Sequence, residues 1–515
     1  MRKIYLYLLV FFFNVKISSG QQIAAMPKPN WYNLDLTDDH MFGISMDKAY
    51  RELMASKFPS PVIVAVIDGG LDISHQDLNK VTWVNKGEIP GNGKDDDKNG
   101  YADDVYGWNF LGSEKESFEF DNDLIVKEIR RYNIRFGGKD STAISKKNLV
   151  DYRAYISKKH ELSTSLKKIN ENLDNTNRFL NDLNEVLKKI GKTQPKLDDF
   201  TSFTPTNESE KKLQRFMIQV LKSNPDFDAY MVQTKSQFER YQVDLNYHLN
   251  LNYDVRAHYK KEYRAAKDKF YGNGNIAGTV PPAHGTHVAG IIAAERGNNI
   301  GIDGIANAVL LMPIRAIPDG YSDDRDQANA IRYAADNGAK IINMSFGLSV
   351  ALNRKLVVEA VKYALKKDIL FIQAAGNGGE NLDLKSGYPN RTNPKDKLFV
   401  NNFIKVGASG FNDGADLVVP FSNYGKQSVD VFAPGLAINS TIPGNKYEQH
   451  SGTSMAAPVV AGLAAVIREY YPKLKAWQVK EIIVKTVSKR ESLQKLCISG
   501  GVVNAYAALK LAQTY

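Results

Sequence analysis

Ser454 stands in residues 450–462, HSGTSMAAPVVAG, between a Gly-Thr pair and a run of small apolar residues. That pattern reads as a turn entering a buried helix, and it offers the serine as a nucleophile. A serine hydroxyl is weakly nucleophilic at neutral pH, so it needs a base within hydrogen-bond reach and a third group to orient the base. His284, in PPAHGTHVAGIIAAE, can be that base, and Asp68, closing PVIVAVID, can be the orienting carboxylate. Asn377 lies further on, between the glycines of FIQAAGNGG. Taken singly, each residue has a blander reading, the serine as a helix cap and the asparagine as a turn residue between glycines.

These residues are far apart in the chain, so a fold must gather them. Residues 62–67 are a continuous apolar run of strand formers, as in a parallel-sheet strand buried on both faces. Similar runs recur at 309–314, 341–345, 369–374, 403–408 and 429–433, with helical patterns at 326–337 and 351–366 between them. The alternation predicts an α/β fold, a parallel sheet with helices on both faces. Such sheets bind ligands beyond the carboxyl ends of their strands, where Asp68 lies. Helices are further predicted from Ser454 to about 471 and over 475–485.

The chain order Asp, His, Ser, with Asn377 between histidine and serine, and the residues flanking all four, resemble the active-site motifs of the subtilisin-like serine peptidases. The resemblance covers about 61–110 and 277–512. It implies a subtilisin-like sheet and hydrolysis of protein or peptide substrates through an acyl-enzyme on Ser454, with Asn377 in the oxyanion hole. It also implies that Ser345, Phe346 and Gly347 form a substrate-binding edge strand, and that Ala374, Ala375 and Gly376 line the primary pocket. Those small residues suggest a roomy apolar pocket that prefers large apolar side chains. His287, the second histidine of its motif, is expected to be packed rather than catalytic. A different class of reading stays open, a catalytically silent protein of this fold that binds a partner through its insertion. An esterase or lipase would carry Gly-x-Ser-x-Gly, but Ala456 stands where the second glycine belongs.

After Asp68 comes GNGKDDDKNGYADDVYGWNF, residues 91–110. Asp95, Asp97 and Asn99, followed by Gly100 and Tyr101, place oxygens at alternate positions before a glycine turn, as calcium loops do. Asp104 and the Tyr101 carbonyl would complete the set. An EF-hand would have glutamate where Tyr106 stands, so the loop is of another type. Members of the family often bind calcium in this region. The alternatives are a structural calcium site and a solvated acidic turn. The chemistry itself needs no cofactor.

Asp68 and His284 are 216 positions apart, and residues 113–272 read as a helical insertion. Leu162, Leu166, Ile169, Leu173, Leu180, Leu183, Leu187 and Ile190 follow a three-four spacing, which predicts a long amphipathic helix. Further helical patterns cover 208–222 and a tyrosine-rich stretch, 236–270. The insertion is either a subdomain packed on itself or a lid limiting access to the cleft.

The first twenty residues, two cations, an apolar run and then small residues, have the pattern of a secretory signal peptide. An exported protein, periplasmic, surface-bound or released, is expected, with no stable membrane span once the signal is cleaved. Residues 21–60 read as a short leader that packs on the peptidase domain, 61–112 and 273–515, with a helix from Met46. The single cysteine, Cys497, excludes an intramolecular disulfide. The formal charge of +10 falls to +7 once Arg2, Lys3 and Lys16 leave with the signal. The lysines are spread and no nucleic-acid module is recognisable, so nucleic acid is not an expected partner.

Overall fold

The strand Val62–Asp68 (β1) lies inside a nine-stranded sheet of the computed structural model, flanked by Val309–Arg315 (β3) and Ile341–Met344 (β4). The structure describes residues 27–259, 270–347, 352–384, 392–393, 398–399 and 401–515. From β4 the sheet continues through Leu370–Ala374 (β5), Phe403–Ser409 (β6) and Val431–Pro434 (β7). It ends in two short strands, Gly501–Val502 and Ser488–Lys489. Beyond β3, Trp108–Asn109 (β2) forms the other edge. Every pairing is parallel except that of the two short strands.

Alternate residues of these strands feed two cores. Val62, Val64 and Val66, with Leu311, Ile372, Val406 and Val431, pack into one buried cluster, which also holds Ala283–Ala293 (α1) and Thr453–Tyr470 (α4). Ala65 and Ile67, with Met312, Ile314, Ile342 and Phe371, enter a second, with Asp324–Asp336 (α2) and Arg354–Leu365 (α3). Both faces of the sheet are thus dry, which is why its strands are apolar throughout rather than alternating. The expected strands and helices form within a few residues of their sequence bounds. The short strands at both edges and the hairpin Ile438–Ile442 with Lys446–His450 carry no apolar run.

The leader contributes to the first core. Trp31 and Tyr32 are fully buried, and the helix expected from Met46 forms over Met46–Ala49 and widens into a π turn over Tyr50–Met54. No helix among the described residues is long and apolar enough to cross a membrane. The signal segment lies outside the described residues.

The chain divides into two compact units, Phe120–Val255 and the remainder that carries the sheet. The first is helical. Its 42-residue helix Leu149–Ile190 has a core at each end. Leu183 and Val186 join Phe200, Met217 and Phe227 at one, and Tyr155 and Leu162 join Val126, Ile129 and Phe136 at the other. The helix expected at 208–222 forms as Glu208–Ser223. The tyrosine-rich stretch is not one helix. Phe227–Val243 runs into a π turn, Asp244–His248, and stops where Asn250 accepts the Asn252 N–H in an Asx turn. That local turn chemistry overrides the helical spacing. Residues 260–269 lie outside the described residues.

Candidate active site

Asp68 ends β1 on the carboxyl side of the sheet, and His284 is the second residue of α1. The His284 Nδ1–H donates to both Asp68 oxygens, at 2.8 and 3.0 Å. The carboxylate is buried, whereas the imidazole is half exposed. Crowding around the ring disfavours its charged form, but the Asp68 charge and hydrogen bond outweigh this and raise its pKa above the usual imidazole value. Gly285 makes the approach possible, because a Cβ there would lie 1.9 Å from the Gly70 carbonyl oxygen. With Nδ1 committed to the carboxylate, Nε2 is left as the basic nitrogen.

Ser454 is in the first turn of α4, where backbone N–H groups have no intrahelical acceptor. Its hydroxyl donates to the Ser345 carbonyl at 2.9 Å, and the Ser345 hydroxyl donates back to the Ser454 carbonyl at 2.8 Å. Asn343 Nδ2 in turn donates to Ser345 Oγ. The chain leaving β4 therefore sets Ser345 directly against Ser454.

Asn377 is exposed on the loop after β5. Its Oδ1 accepts the N–H and the hydroxyl of Thr453, both at 2.9 Å. Its other amide atom points toward Gly452. A Cβ on Gly452 would lie 3.4 Å from Asn377 Nδ2 and 3.6 Å from the Ser454 nitrogen. Asn377 Nδ2 and the Ser454 nitrogen thus both lie close to Gly452.

Two residues that hold this loop escaped the sequence reading. Thr453 Oγ1 accepts the Gly376 N–H as well as donating to Asn377. Asn423 donates to the Ala375 carbonyl and accepts from Gly378 and Glu380. Nothing in FSNYG marks Asn423 in advance, whereas Thr453 could have been suspected from its place beside the nucleophile.

The residues expected to hold substrate have mixed surroundings. Ala374 and Ala375 are buried, and Gly376 turns the chain at φ 102°. Ser345, Phe346 and Gly347 lie beyond the end of β4, which stops at Met344, so they are outside the strand the sequence placed there. Phe346 is half-buried and Gly347 exposed.

His287 is packed. Its Nε2–H is shared between the carbonyls of Ile438 and Glu448, and its ring stacks on His450 at 4.3 Å. Burial, then the neighbouring His450, press its pKa down to about 3, so it stays neutral.

In the acidic loop, single oxygens of Glu88, Asp95 and Asp97 lie within 4.8 Å of one another. Glu88 was not foreseen, since it precedes the loop. Its oxygens also accept the N–H groups of Asp96, Asp97 and Asp103, folding the loop around itself. Asn99 aims its amide nitrogen at Asp97 and Asp104, while its oxygen takes the Tyr101 N–H. Asp104 is fully buried and accepts from Tyr333, Asn85 and Asn99. Burial lifts its pKa to about 6. Asp104 and the Asn99 side chain thus take part in hydrogen bonds that fold the loop, and the carboxylate oxygens that converge are those of Glu88, Asp95 and Asp97.

A parallel sheet covered on both faces, with an Asp–His pair at its carboxyl edge and a serine opening a buried helix, defines an α/β protein with a candidate site there. The Subtilase family profile matches residues 60–501, and the chain belongs to that family. It is 44% identical over 185 residues to "Thermophilic serine proteinase" of Bacillus sp. (strain AK1), covering 36% of this chain and 42% of that one. It is 36% identical over 228 residues to "Thermitase" of Thermoactinomyces vulgaris, covering 44% and 75%. To "Cell wall-associated protease" of Bacillus subtilis (strain 168) it is 38% identical over 204 residues, covering 39% and 21%. The chain thus spans less than half the length of the first and third of these relatives.

Proposed function

We propose that the protein is an exported serine endopeptidase. The observation that carries this reading is the hydrogen bond from His284 Nδ1 to the buried Asp68 carboxylate at the carboxyl end of β1. In the reaction, the Ser454 hydroxyl leaves the Ser345 carbonyl, passes its proton to His284 Nε2 and attacks the peptide carbonyl. Asp68 stays ionised and stabilises the imidazolium. The Ser454 N–H and Asn377 Nδ2 hold the oxygen as it gains charge. His284 then protonates the leaving amine, and water resolves the acyl-enzyme by the same steps.

An extended substrate would lie along residues 345–347, adding main-chain hydrogen bonds to that edge. The side chain before the scissile bond would enter between Ala374, Ala375 and Gly376, with a preference for large apolar groups. A fluorogenic peptide library selecting strictly for a basic residue would reject that preference. Export is supported by the cation–apolar–small pattern of the first twenty residues and by the cell-wall relative.

Glu88, Asp95 and Asp97 fit a hard divalent cation, since they offer three carboxylate oxygens and no nitrogen or sulfur donor. We assign them to a structural calcium ion, which would neutralise their mutual repulsion and brace the loop. It would take no part in bond breaking.

The test is intact-mass analysis after treatment with a phosphonate probe. One adduct on Ser454, lost in Ser454→Ala and His284→Ala, is expected. A folded protein that takes no probe and cleaves no peptide would overturn the assignment and leave a binding role.

A further inference from the structure

Arg315 closes β3 opposite Asp68 in the sheet register, and its side chain is fully buried. Its guanidinium reaches both segments that carry the acid–base pair. Nε donates to the carbonyl of Gly69, the residue after Asp68, at 2.9 Å. Nη2 pairs with Glu119 Oε1 at 2.8 Å and also donates to the Phe118 carbonyl, while Nη1 donates to Asn109 Oδ1. The same Glu119 oxygen accepts the Thr279 N–H and hydroxyl, at 2.5 and 3.1 Å, and the Val280 N–H at 3.3 Å.

Between Val280 and His284 stand Pro281, Pro282 and Ala283. Each proline ring fixes a backbone angle, so this link transmits the placement of residues 279 and 280 to the start of α1. The two segments also touch directly. The Leu71 N–H donates to the Ile276 carbonyl, and the Asp72 N–H to Thr286 Oγ1. A Cβ on Gly278 would fall 2.5 Å from Glu119 Oε1 and 2.7 Å from Arg315 Nε, so the chain is seated on the ion pair itself.

We propose that Glu119 and Arg315 are positioning residues of the hydrolytic site, their ion pair setting how closely His284 is held to Asp68. The inference rests on the peptidase reading above. Arg315 anchors the Asp68 side through Gly69, and Glu119 anchors the His284 side through Thr279 and Val280. Neither touches substrate. Their charges matter because a fully buried guanidinium needs an ionised partner, and an amide in its place supplies the shape without the charge.

The experiment compares wild type, Glu119→Gln and Arg315→Lys for melting temperature, phosphonate labelling, kcat, KM and the pH dependence of kcat/KM. Both variants are expected to fold and to lose about tenfold in kcat with KM little changed, within the roughly 10²-fold that a displacement of about 1 Å can bring. The acidic limb of the pH profile should move to lower pH in both, because a looser Asp68 contact lowers the His284 pKa. A loss of stability alone would not move that limb. Wild-type kcat and an unmoved limb in folded variants would overturn the proposal. Should neither variant fold, Thr279→Val, which deletes only the hydroxyl donor to Glu119, must still shift the limb downward, and an unmoved limb there overturns it equally. A wild-type protein that neither labels nor cleaves would instead refute the peptidase reading, which separates the two failures.

Discussion

Asn377 accepts the backbone N–H and the side-chain hydroxyl of Thr453 through a single atom, Oδ1. The carboxamide is thereby held by its oxygen, with its nitrogen close to Gly452. Losing an oxyanion donor costs about 10²–10³ in turnover, a magnitude taken from the related subtilisin. Asn377→Ala should fall in that range. Thr453→Val keeps the shape and the N–H but deletes the hydroxyl, and a net hydrogen bond is worth about 1 kcal/mol. The expected result is a kcat about five- to tenfold lower, and a rise in KM would report the lost bond from the Gly376 N–H to the same hydroxyl. Equal kcat for Thr453→Val and wild type would show that the remaining bond suffices to orient Asn377.

The contact between Asp68 and His284 predicts the pH dependence. The base works only when neutral, and its pKa is raised, so activity should fall off below a limb lying above the ordinary imidazole value. Asp68→Asn should bring that limb down as well as lower kcat, by about 10⁴ in the related trypsin-type triad. The same shift has a stability sign. The folded state favours protonated His284, so this contribution is present at acidic pH, below the unfolded pKa, and is lost as pH rises through the raised folded value. Residual hydrolysis by Asp68→Asn with an unmoved limb would refute control by this pair.

The fold and the candidate site were legible in the sequence because the four candidate residues each sit in a distinctive local context. Asp68 follows an apolar strand, His284 and Ser454 precede runs of small residues, and Asn377 lies between glycines. The supporting atoms were not legible. Asn423 acts across 48 positions on Ala375, and Arg315 across 246 on Gly69, so no local pattern announces either. The acidic loop was read from its alternation, yet Asp104 is taken up by Tyr333, 229 positions away, while Glu88 supplies the convergent oxygen. The tyrosine-rich helix failed for the opposite reason, because Asn250 and Asn252 form a local turn that periodicity ignores.

Trp31 links the leader to the catalytic turn. Its Nε1–H donates to the Ala437 carbonyl, the Ala437 N–H donates to Ser451 Oγ, and the Gly452 N–H donates to the Gly435 carbonyl. Ala437 itself sits at φ 50°, a conformation that needs such support in a residue with a Cβ. Trp31→Phe keeps most of the buried ring and removes the donor. It should destabilise the protein by roughly 1–3 kcal/mol, because it leaves the Ala437 carbonyl short of a partner. Phosphonate labelling of the variant should slow while its helical circular dichroism is retained. An unchanged melting temperature and labelling rate would mean that the leader merely covers the core.

Glu469, near the end of α4, is almost wholly buried, with Oε1 accepting the Ala308 N–H and Oε2 without a partner. Burial raises its pKa from 4.5 to about 8. The folded state therefore holds a proton that the unfolded chain releases above its own lower value. Stability should decline as pH rises from about 4.5 to about 8 and level off beyond, by an amount on the order of 5 kcal/mol. Glu469→Gln, which never ionises, should melt higher than wild type at pH 8.5 and at nearly the same temperature at pH 4.5. A constant difference between the two proteins across that window would contradict the assignment.

Glu88, Asp95 and Asp97 repel one another when all three are ionised, and a divalent cation relieves this. A ligand bound only by the folded state stabilises it by about 2.7 kcal/mol at a hundred times its Kd. Chelation should therefore lower the melting temperature, and calcium should restore it more fully than magnesium, which demands a tighter octahedral shell. Asp97→Asn removes one charge from the cluster while leaving the Asp68–His284 pair intact, so calcium should no longer raise its melting temperature. Phosphonate labelling of that variant at low temperature should proceed as in wild type, because the ion would brace a loop rather than act on the substrate. Melting temperatures that ignore chelator and calcium alike would instead make the loop a self-contained acidic turn, held by the hydrogen bonds from Asp96, Asp97 and Asp103 to Glu88.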